Sequence, residues 1–187
     1  MPAGKVTLSV EDVVVDTRPD SALSHEEIVA RNLAVVQAHF HNENPDDVDK
    51  AIALYTDDIV WEAPSRGQVY LNAADVKAAY QDIFKTLVYD KTIALRRFAT
   101  EEFVFDDQIA YVTVVGDKMP NLPYPVGTKL SVRLVHCFMM RDGKIAREIA
   151  YETWRARGSA EDHDSIANDA VVEVFDGVVG KHAPTIS

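Results

Sequence analysis

One histidine interrupts an otherwise apolar strand face in the C-terminal half of the chain, at position 136. The stretch 128–154 reads as two strands joined at Arg141-Asp142-Gly143, and alternate residues of the first strand share one face. That face carries Val132, Leu134, His136, Phe138 and Met140. An imidazole among buried aliphatic side chains is either a structural histidine or the general acid or base of a site.

The register of this hairpin decides what His136 can contact, because a one-residue slip turns every side chain to the opposite face. A two-residue turn at Asp142-Gly143 would place His136 opposite Ile149. A three-residue turn with a glycine bulge would place it opposite Glu148, and we favour this register because Lys144 then starts a clean strand. In it the histidine's face is shared by Glu148, Ala150, Glu152 and Trp154.

Two interpretations of the His136–Glu148 pair remain open at this point. The pair would fix the tautomer of the imidazole and raise its basicity, or it would be a structural ion pair at a sheet end. In the catalytic case His136 is the general acid or base, with Glu148 or Glu152 orienting it. His39, on the apolar side of the first predicted helix, is the second candidate and would donate to a developing oxyanion.

Metal sites and nucleophilic dyads find little support in the sequence. His39-Phe40-His41 looks like a metal motif, but two histidines at i and i+2 point to different sides of a helix, so no metal site is predicted. The single cysteine, Cys137, lies on the strand face opposite His136 and excludes internal disulfides. No phosphate loop, dinucleotide fingerprint or nucleophile elbow is apparent.

The overall composition narrows the class of protein and of partner. The chain of 187 residues fits one domain. Its 30 acidic and 19 basic residues give a net charge of −11, which disfavours nucleic acid and anionic membranes as partners. Neither the long apolar run of a signal peptide nor a window long enough for a membrane span is present, so we expect a cytoplasmic protein.

The predicted elements that position these residues are mostly helices in the N-terminal half of the chain and mostly strands in the C-terminal half. A capping box at Ser24 and Glu27 starts the first helix, and the Asp106-Asp107 pair predicts a turn. The predicted elements are an N-terminal arm at 5–16, helices at 24–44, 46–55, 72–87 and 164–179, and strands at 59–63, 68–71, 91–105, 108–118, 128–141 and 144–154. This order predicts an α+β fold with helices on one face of a curved antiparallel sheet, and the loop 117–128 is long enough to overhang a pocket.

Several apolar and aromatic side chains are candidates for the wall of a pocket. Trp61 and Ala63 project to one side if their strand alternates, and three aromatic residues could line the helix side. For each aromatic, plain core packing is the alternative. The substrate-binding candidates are Tyr55, Trp61, Ala63, Tyr80, Phe84, Leu134, Phe138 and Ala150.

Two segments, ALYTDDIVWEAPSRG and RDGKIAREIAYETW, together with the order of elements, resemble the nuclear transport factor 2-like superfamily. More narrowly, the chain resembles the SnoaL-like polyketide cyclases, ketosteroid isomerases and limonene epoxide hydrolases. The resemblance covers 24–154, and it divides the chain into an N-terminal arm (1–22), the α+β domain (23–155), and a polar linker, C-terminal helix and tail (156–187). It implies a cone-shaped sheet around three helices, enclosing a deep apolar pocket.

The resemblance also implies cofactor-free acid–base chemistry on a small hydrophobic carbonyl compound, as in a cyclase, isomerase or dehydratase. The position of the isomerase base is Ala63, and the aspartate common in cyclases and epoxide hydrolases falls on Ala150. The isomerase tyrosine falls near His39 and its oxyanion-hole aspartate on His136. Because both usual carboxylates are alanine, a non-catalytic ligand-binding or association module is the alternative.

The outer face of the same strand predicts a self-association surface. Val135, Cys137 and Met139 alternate there between Arg133 and Arg141. Such a mixture suits a subunit interface better than bulk solvent. We therefore expect a homodimer through the convex face of the sheet.

Overall fold

The computed structural model describes residues 16–159 and 168–174, in which three α-helices lie against one seven-stranded sheet. Of the arm predicted at 5–16, only Asp16 falls within the described residues. The α-helices are α1 (His25–Asn42), α2 (Val48–Ile52) and α3 (Ala73–Thr86), and short 3-10 helices span Asp20–Ala22 and Pro64–Arg66. The strands are β1 (Tyr55–Ala63), β2 (Gln68–Tyr70), β3 (Leu87–Ala99), β4 (Phe103–Val114), β5 (Lys129–Arg141), β6 (Lys144–Ala156) and β7 (Val171–Val174).

The start of α1 is fixed by the capping box that the sequence predicts. The backbone N–H of Glu27 donates to the Ser24 hydroxyl at 3.3 Å, and the Ser24 N–H donates to the Glu27 carboxylate at 2.8 Å. Asn72 caps α3 in a similar way, accepting from the Asp75 N–H at 2.9 Å. α2 is shorter than predicted because β1 already begins at Tyr55.

The sheet has the order β2-β1-β6-β5-β4-β3-β7, and α1 packs across β3, β4 and β6. The predicted α+β fold, a curved sheet with helices on its inner face, is confirmed. The sheet is mixed, however, because β1 runs parallel to β6 while the other neighbours are antiparallel. Side chains from α1, α3 and the inner face of the sheet form one hydrophobic core.

The Asp106-Asp107 pair, predicted as a turn, lies in the middle of β4. The turn between β3 and β4 is at 100–102, where the Thr100 N–H donates to the Phe103 carbonyl at 2.7 Å. Both predicted strand boundaries were therefore wrong by several residues. The aspartates are stable in a strand because Arg97 and Arg96 lie opposite them on β3 and pair with their carboxylates.

Next to its turn the β5–β6 hairpin follows the two-residue alternative, and beyond Met140 it follows neither predicted register. Asp142 and Gly143, with φ of 47° and 72°, form a two-residue turn, and Arg141 pairs with Lys144. An irregularity after the first two pairs then shifts β6 by one further residue, so that His136 lies opposite Ala150. The predicted pairing of His136 with Glu148 was therefore wrong by two residues. A shift by two preserves the face, and Glu148 still lies on the histidine's side of the sheet.

The C-terminal helix predicted at 164–179 is not borne out where the structure describes it. Residues Val171–Val174 form β7, which pairs antiparallel with β3, and the rest of that range lies outside the described residues. Val171, Val172 and Val174 are β-branched, and such side chains favour a strand. Among the described helices, none has both the length and the apolar character to cross a membrane.

Candidate active site

The inner face of the sheet and α3 enclose a narrow cavity. The cavity and its mouth contain about 490 Å³ of unoccupied space, of which about 40 Å³ can hold the centres of water-sized molecules. A volume of about 40 Å³ for the centres of water molecules means that a few waters fit in the cavity before any side chain moves. The lining residues are Glu43, Trp61, Tyr80, Ile83, Leu87, Tyr89, Ala110, Val112, Met119, Val132, Leu134, His136, Glu148, Ala150, Glu152 and Trp154.

Four of the eight predicted substrate-binding residues line this cavity: Trp61, Tyr80, Leu134 and Ala150. The other four, Tyr55, Ala63, Phe84 and Phe138, are buried in the hydrophobic core but do not line it. In this structure they are packed among other core side chains. For Tyr55 and Phe84 this is the alternative of plain core packing.

His136 lies on the cavity wall and is paired with a residue that the sequence did not single out. Asp106 on β4 and His136 on β5 are direct strand partners. The Nδ1 atom of His136 therefore faces the Asp106 carboxylate, at a distance of 3.6 Å that is just beyond hydrogen-bond range. Burial alone would lower the pKa of His136, but the carboxylates of Asp106, Glu148 and Glu43 outweigh it and raise the pKa above its usual value. These carboxylates therefore stabilise the imidazolium form of His136 relative to that of a free histidine.

Asp106 is in turn held by an arginine inside the protein. Arg97 Nε donates to the Asp106 carboxylate at 2.8 Å, and its Nη1 donates to the Gln37 side chain at 2.8 Å. Burial would raise the pKa of Asp106, but Arg97 and His136 outweigh it and lower the pKa below its usual value. The result is a buried chain of polar and charged side chains, Gln37–Arg97–Asp106–His136, that ends at the cavity.

Glu148 carries the second polar group of the cavity wall. Its carboxylate accepts a hydrogen bond from the Tyr55 hydroxyl at 2.6 Å, and the Tyr80 hydroxyl lies 3.4 Å from both of its oxygens. Burial and the nearby carboxylates of Glu148 and Glu43 raise the pKa values of both tyrosines well above normal, so both phenols stay protonated. Glu148 and Tyr80 line the cavity, whereas Tyr55 supports them from behind.

His39 is fully buried and does not line the cavity. Its Nε2 lies 3.3 Å from Glu148 and 3.4 Å from Glu43. Burial alone would lower the pKa of His39, but these two carboxylates raise it to about 10. The expected direct donation from His39 to a substrate oxyanion is not available in this arrangement, because Tyr80 and Glu148 occupy the wall. The donor atoms of His39, Glu43 and Glu148 all lie within 4.8 Å of one another and could hold a metal ion.

Glu152 lies on the cavity wall but is already engaged. Arg66 donates to its carboxylate with Nε at 2.7 Å and Nη2 at 3.0 Å, and the Trp154 indole N–H donates at 2.9 Å. Arg66 Nη1 also donates to the Pro120 carbonyl at 3.4 Å, in the loop that was expected to overhang a pocket. That loop does contribute Met119 to the cavity wall.

Three residues that complete the site were missed from the sequence: Glu43, Arg97 and Asp106. Glu43 follows His39 by four residues, a spacing that places both on one helix face and could have been noticed. The adjacent Asn44-Pro45 drew attention to the helix end instead. The sequence predicts a turn at Asp106. Arg97 therefore had no predicted partner, because it pairs with Asp106 only across β3 and β4.

Comparison with known proteins places this geometry in a family. The model of the family described as "SnoaL-like domain" matches residues 36–148. A search among curated proteins gives no match. Three similar solved structures are an NTF2-like protein from Burkholderia xenovorans (18% identity, TM-score 0.54, covering 70% of this chain and 92% of that one), a candidate polyketide cyclase from Pseudomonas putida (18%, 0.52, 64% and 90%) and an LEH-like epoxide hydrolase from M. tuberculosis (14%, 0.52, 67% and 84%).

At these identities the solved structures share the fold with this chain and do not identify its reaction. The family match is of a different kind, because it spans more than half of the chain and includes α3, β3, β4, β5 and Glu148. The cavity between α3 and the inner face of the sheet lies largely within the matched residues. The protein therefore belongs to the SnoaL-like domain family, on the nuclear transport factor 2-like fold.

Proposed function

We propose that this protein is an acid–base enzyme that moves protons on a small, largely apolar carbonyl compound bound in the cavity. The observation that carries the proposal is the meeting of His136, Tyr80 and Glu148 on the wall of an otherwise mostly apolar cavity. All three groups are held by buried partners, as catalytic groups require. The family's cyclases and isomerases make such chemistry plausible on this fold.

In this proposal His136 is the general acid. Asp106 holds the Nδ1 side of the ring, which leaves Nε2 for the substrate. The raised pKa of His136 favours the imidazolium, which gives its Nε2 proton to the substrate carbonyl oxygen. Tyr80, whose phenol stays protonated, is a second donor for the negative charge that develops on that oxygen.

Glu148 is the general base of the proposal. It would take the proton from the carbon next to the carbonyl, while the electron pair of that C–H bond forms the C=C bond of an enol. In a β,γ-unsaturated ketone, Glu148 returns the proton to the γ carbon and the enol proton goes back to His136, which gives isomerisation. In a β-hydroxy ketone, the Glu148 proton leaves with the hydroxyl group as water while the enol proton goes back to His136, which gives dehydration. Glu148 thereby supplies the carboxylate that both usual family positions, Ala63 and Ala150, lack.

The size of the cavity restricts the substrate of the proposal. The centres of water-sized molecules can occupy only about 40 Å³ of it, so a substrate must be small or must displace side chains of the wall. Met119 and Glu152, which Arg66 holds, are among these wall residues. We therefore expect cyclic or branched ketones of about the size of cyclohexanone rather than a multi-ring polyketide.

The alternative is a non-catalytic module that binds a small ligand in the same cavity. The narrow cavity and the alanines at the two usual carboxylate positions favour this alternative. Binding of a ketone without any proton exchange would support it. The two functions differ only in whether His136 and Glu148 transfer protons.

A deuterium-exchange experiment tests the proposed function. Cyclohexanone and 2-cyclohexenone are incubated with the protein in D₂O, and NMR follows the loss of signal from the protons next to the carbonyl. We expect faster exchange with the protein than without it. Ala150→Phe should abolish the acceleration by filling the cavity, whereas Thr153→Phe, an exposed position on the same strand, should not. Equal rates with and without protein for these ketones and a wider panel would refute it.

We also propose that two copies of the chain associate through the outer face of the sheet. Phe98, Phe105, Cys137 and Ile149 are successive strand partners and form an apolar row across β3 to β6. Phe98 is 54% exposed, and its ring stacks on Phe105 with centroids 5.0 Å apart. An exposed apolar row of this kind is typical of an interface.

Light scattering tests the dimer. At micromolar concentration we expect twice the chain mass of 20.8 kDa. Phe98→Lys should give the monomer mass because it places a charge in the apolar row. Val126→Lys, at an exposed loop position, should leave the dimer intact. A monomer mass for the unmodified protein would refute the interface.

A further inference from the structure

Two carboxylates of the cavity wall meet a buried imidazole that lies behind them, and the three groups come from distant parts of the chain. His39 lies on α1, Glu43 follows at its C-terminal end, and Glu148 comes from β6. The Nε2 atom of His39 is 3.4 Å from the Glu43 carboxylate and 3.3 Å from that of Glu148. All three side chains are at most 5% exposed.

These separations are long for ion-paired hydrogen bonds. Charge-assisted N–H···O bonds are typically about 2.7–2.9 Å. The Nε2 atom also lies 3.3 Å from the hydroxyls of both Tyr55 and Tyr80, so four oxygens surround it at nearly equal distance. A single N–H can point at only one of them. The arrangement therefore does not have the geometry of a dedicated histidine–carboxylate hydrogen bond.

The same separations fit ligands of one metal ion. Zn²⁺ binds histidine nitrogen and carboxylate oxygen at about 2.0–2.2 Å, so neighbouring ligands of a tetrahedral site lie roughly 3.3–3.5 Å apart. The distances from His39 Nε2 to Glu43 and Glu148 fall within or at the edge of this range. Two carboxylates carry the charge of −2 that a divalent ion balances, once the ion has displaced the proton that His39 holds near neutral pH.

A metal ion could reach this site from the solvent, and one of its ligands is held in place by a hydrogen bond. Glu43 and Glu148 line the cavity, so an ion can enter from the solvent and can keep one position open toward the cavity. Tyr55 donates to Glu148 at 2.6 Å and fixes that carboxylate, as partners of metal ligands commonly do. Among the described residues the Nδ1 atom of His39 has no hydrogen-bond partner. We expect the missing partner to weaken binding by about 10- to 100-fold relative to fully supported sites.

We propose that His39, Glu43 and Glu148 form a binding site for a divalent transition-metal ion, Zn²⁺ from the chemistry of the donor set. The site goes beyond the proposed function and shares Glu148 with it: Glu148 is the base in the metal-free protein, and a bound ion would take its carboxylate out of proton chemistry. The sequence predicted no metal site, since the only pairing considered for His39 was with His41. The partner on the same helix face is Glu43, and the third ligand is more than one hundred residues away.

Direct binding measurements test the site without any substrate. Untagged protein is stripped with EDTA and titrated with ZnCl₂ by calorimetry and with CoCl₂ by visible absorption. We expect one equivalent of Zn²⁺ and an intense absorption band of four-coordinate Co²⁺. His39→Gln and Glu43→Gln should each weaken binding by more than about 100-fold, since even an outer partner is worth about 10- to 100-fold. His41→Gln, an exposed imidazole on the same helix, should leave binding unchanged.

Circular dichroism establishes whether each variant is folded. If His39→Gln does not fold, Glu43→Gln alone decides, because Glu43 is at the helix end. No heat and no cobalt band with the unmodified protein would overturn the proposal. Binding of equal strength in Glu43→Gln would overturn it too. Ketone exchange is measured separately in metal-free protein, so failure of the metal site and failure of the proposed function are distinguishable.

Discussion

Replacing His136 with glutamine is expected to lower the rate of the proposed proton exchange by about 10²- to 10⁴-fold, the range typical of a general acid or base. Glutamine keeps the polarity and approximate size of the side chain, but it cannot donate or accept a proton in the reaction. His136 is on the cavity wall and is paired with Asp106, so its loss removes the acid while the cavity remains. The measurement is the NMR exchange rate with the best ketone of the panel.

The control for this prediction is His25→Gln, which removes an exposed histidine whose Nδ1 pairs with the surface residue Glu101. It should exchange at the unmodified rate. A thermal melt separates loss of chemistry from loss of fold. An unchanged rate in a folded His136→Gln protein would contradict the assignment of this residue as the acid.

The pH dependence of the exchange rate is a second test of His136 as the general acid. The groups that face His136 are Asp106 on β4, Glu148 on β6 and Glu43 after α1, and together they raise its pKa. The acid form therefore persists to higher pH than in a free histidine, and the rate should fall as pH rises through the raised pKa. Asp106→Asn removes one of these charges and should move this fall to lower pH. A profile that does not move would show that Asp106 has no electrostatic effect on the acid.

The sequence predicts which side chains share a face of the sheet, because side chains along a strand alternate between the two faces. Neither predicted register of β5 and β6 holds at His136, yet His136, Glu148 and Glu152 were correctly placed on one face. The structure differs from the favoured register by two residues, and an even shift preserves the face. The extra residue on β6 near Ala146 could not be predicted, because nothing in its side chain marks it.

The partners of buried charges could not be predicted, because they come from neighbouring strands. Two adjacent aspartates without partners are typical of a turn, and that interpretation of Asp106-Asp107 was wrong. Their partners are Arg96 and Arg97, and these become neighbours only when β3 and β4 pair in the observed register. The error also hid the residue that positions His136.

Arg97→Ala is expected to destabilise the protein by about 3–5 kcal/mol, the cost of removing one partner from a buried ion pair. The Arg97 and Asp106 side chains are 4% and 1% exposed, so the remaining carboxylate would keep its charge without its arginine. The guanidinium also lies 5.0 Å from the centre of the Phe40 ring and bonds to Gln37, so packing is lost with the charge. The measurement is the free energy of unfolding by urea denaturation, with circular dichroism as the signal.

The matched control is the preceding residue, Arg96, which pairs with Asp107 at 2.9 Å but is 56% exposed. Arg96→Ala should cost about 0–1 kcal/mol, because water screens the pair and solvates whatever remains. Asp107 would also keep Arg133, at 2.8 Å. The two variants differ by one position and by the face of β3 on which the guanidinium lies. Equal losses of stability in Arg97→Ala and Arg96→Ala would mean that burial does not decide the strength of these ion pairs. The buried chain from Gln37 to His136 would then not be what supports the site.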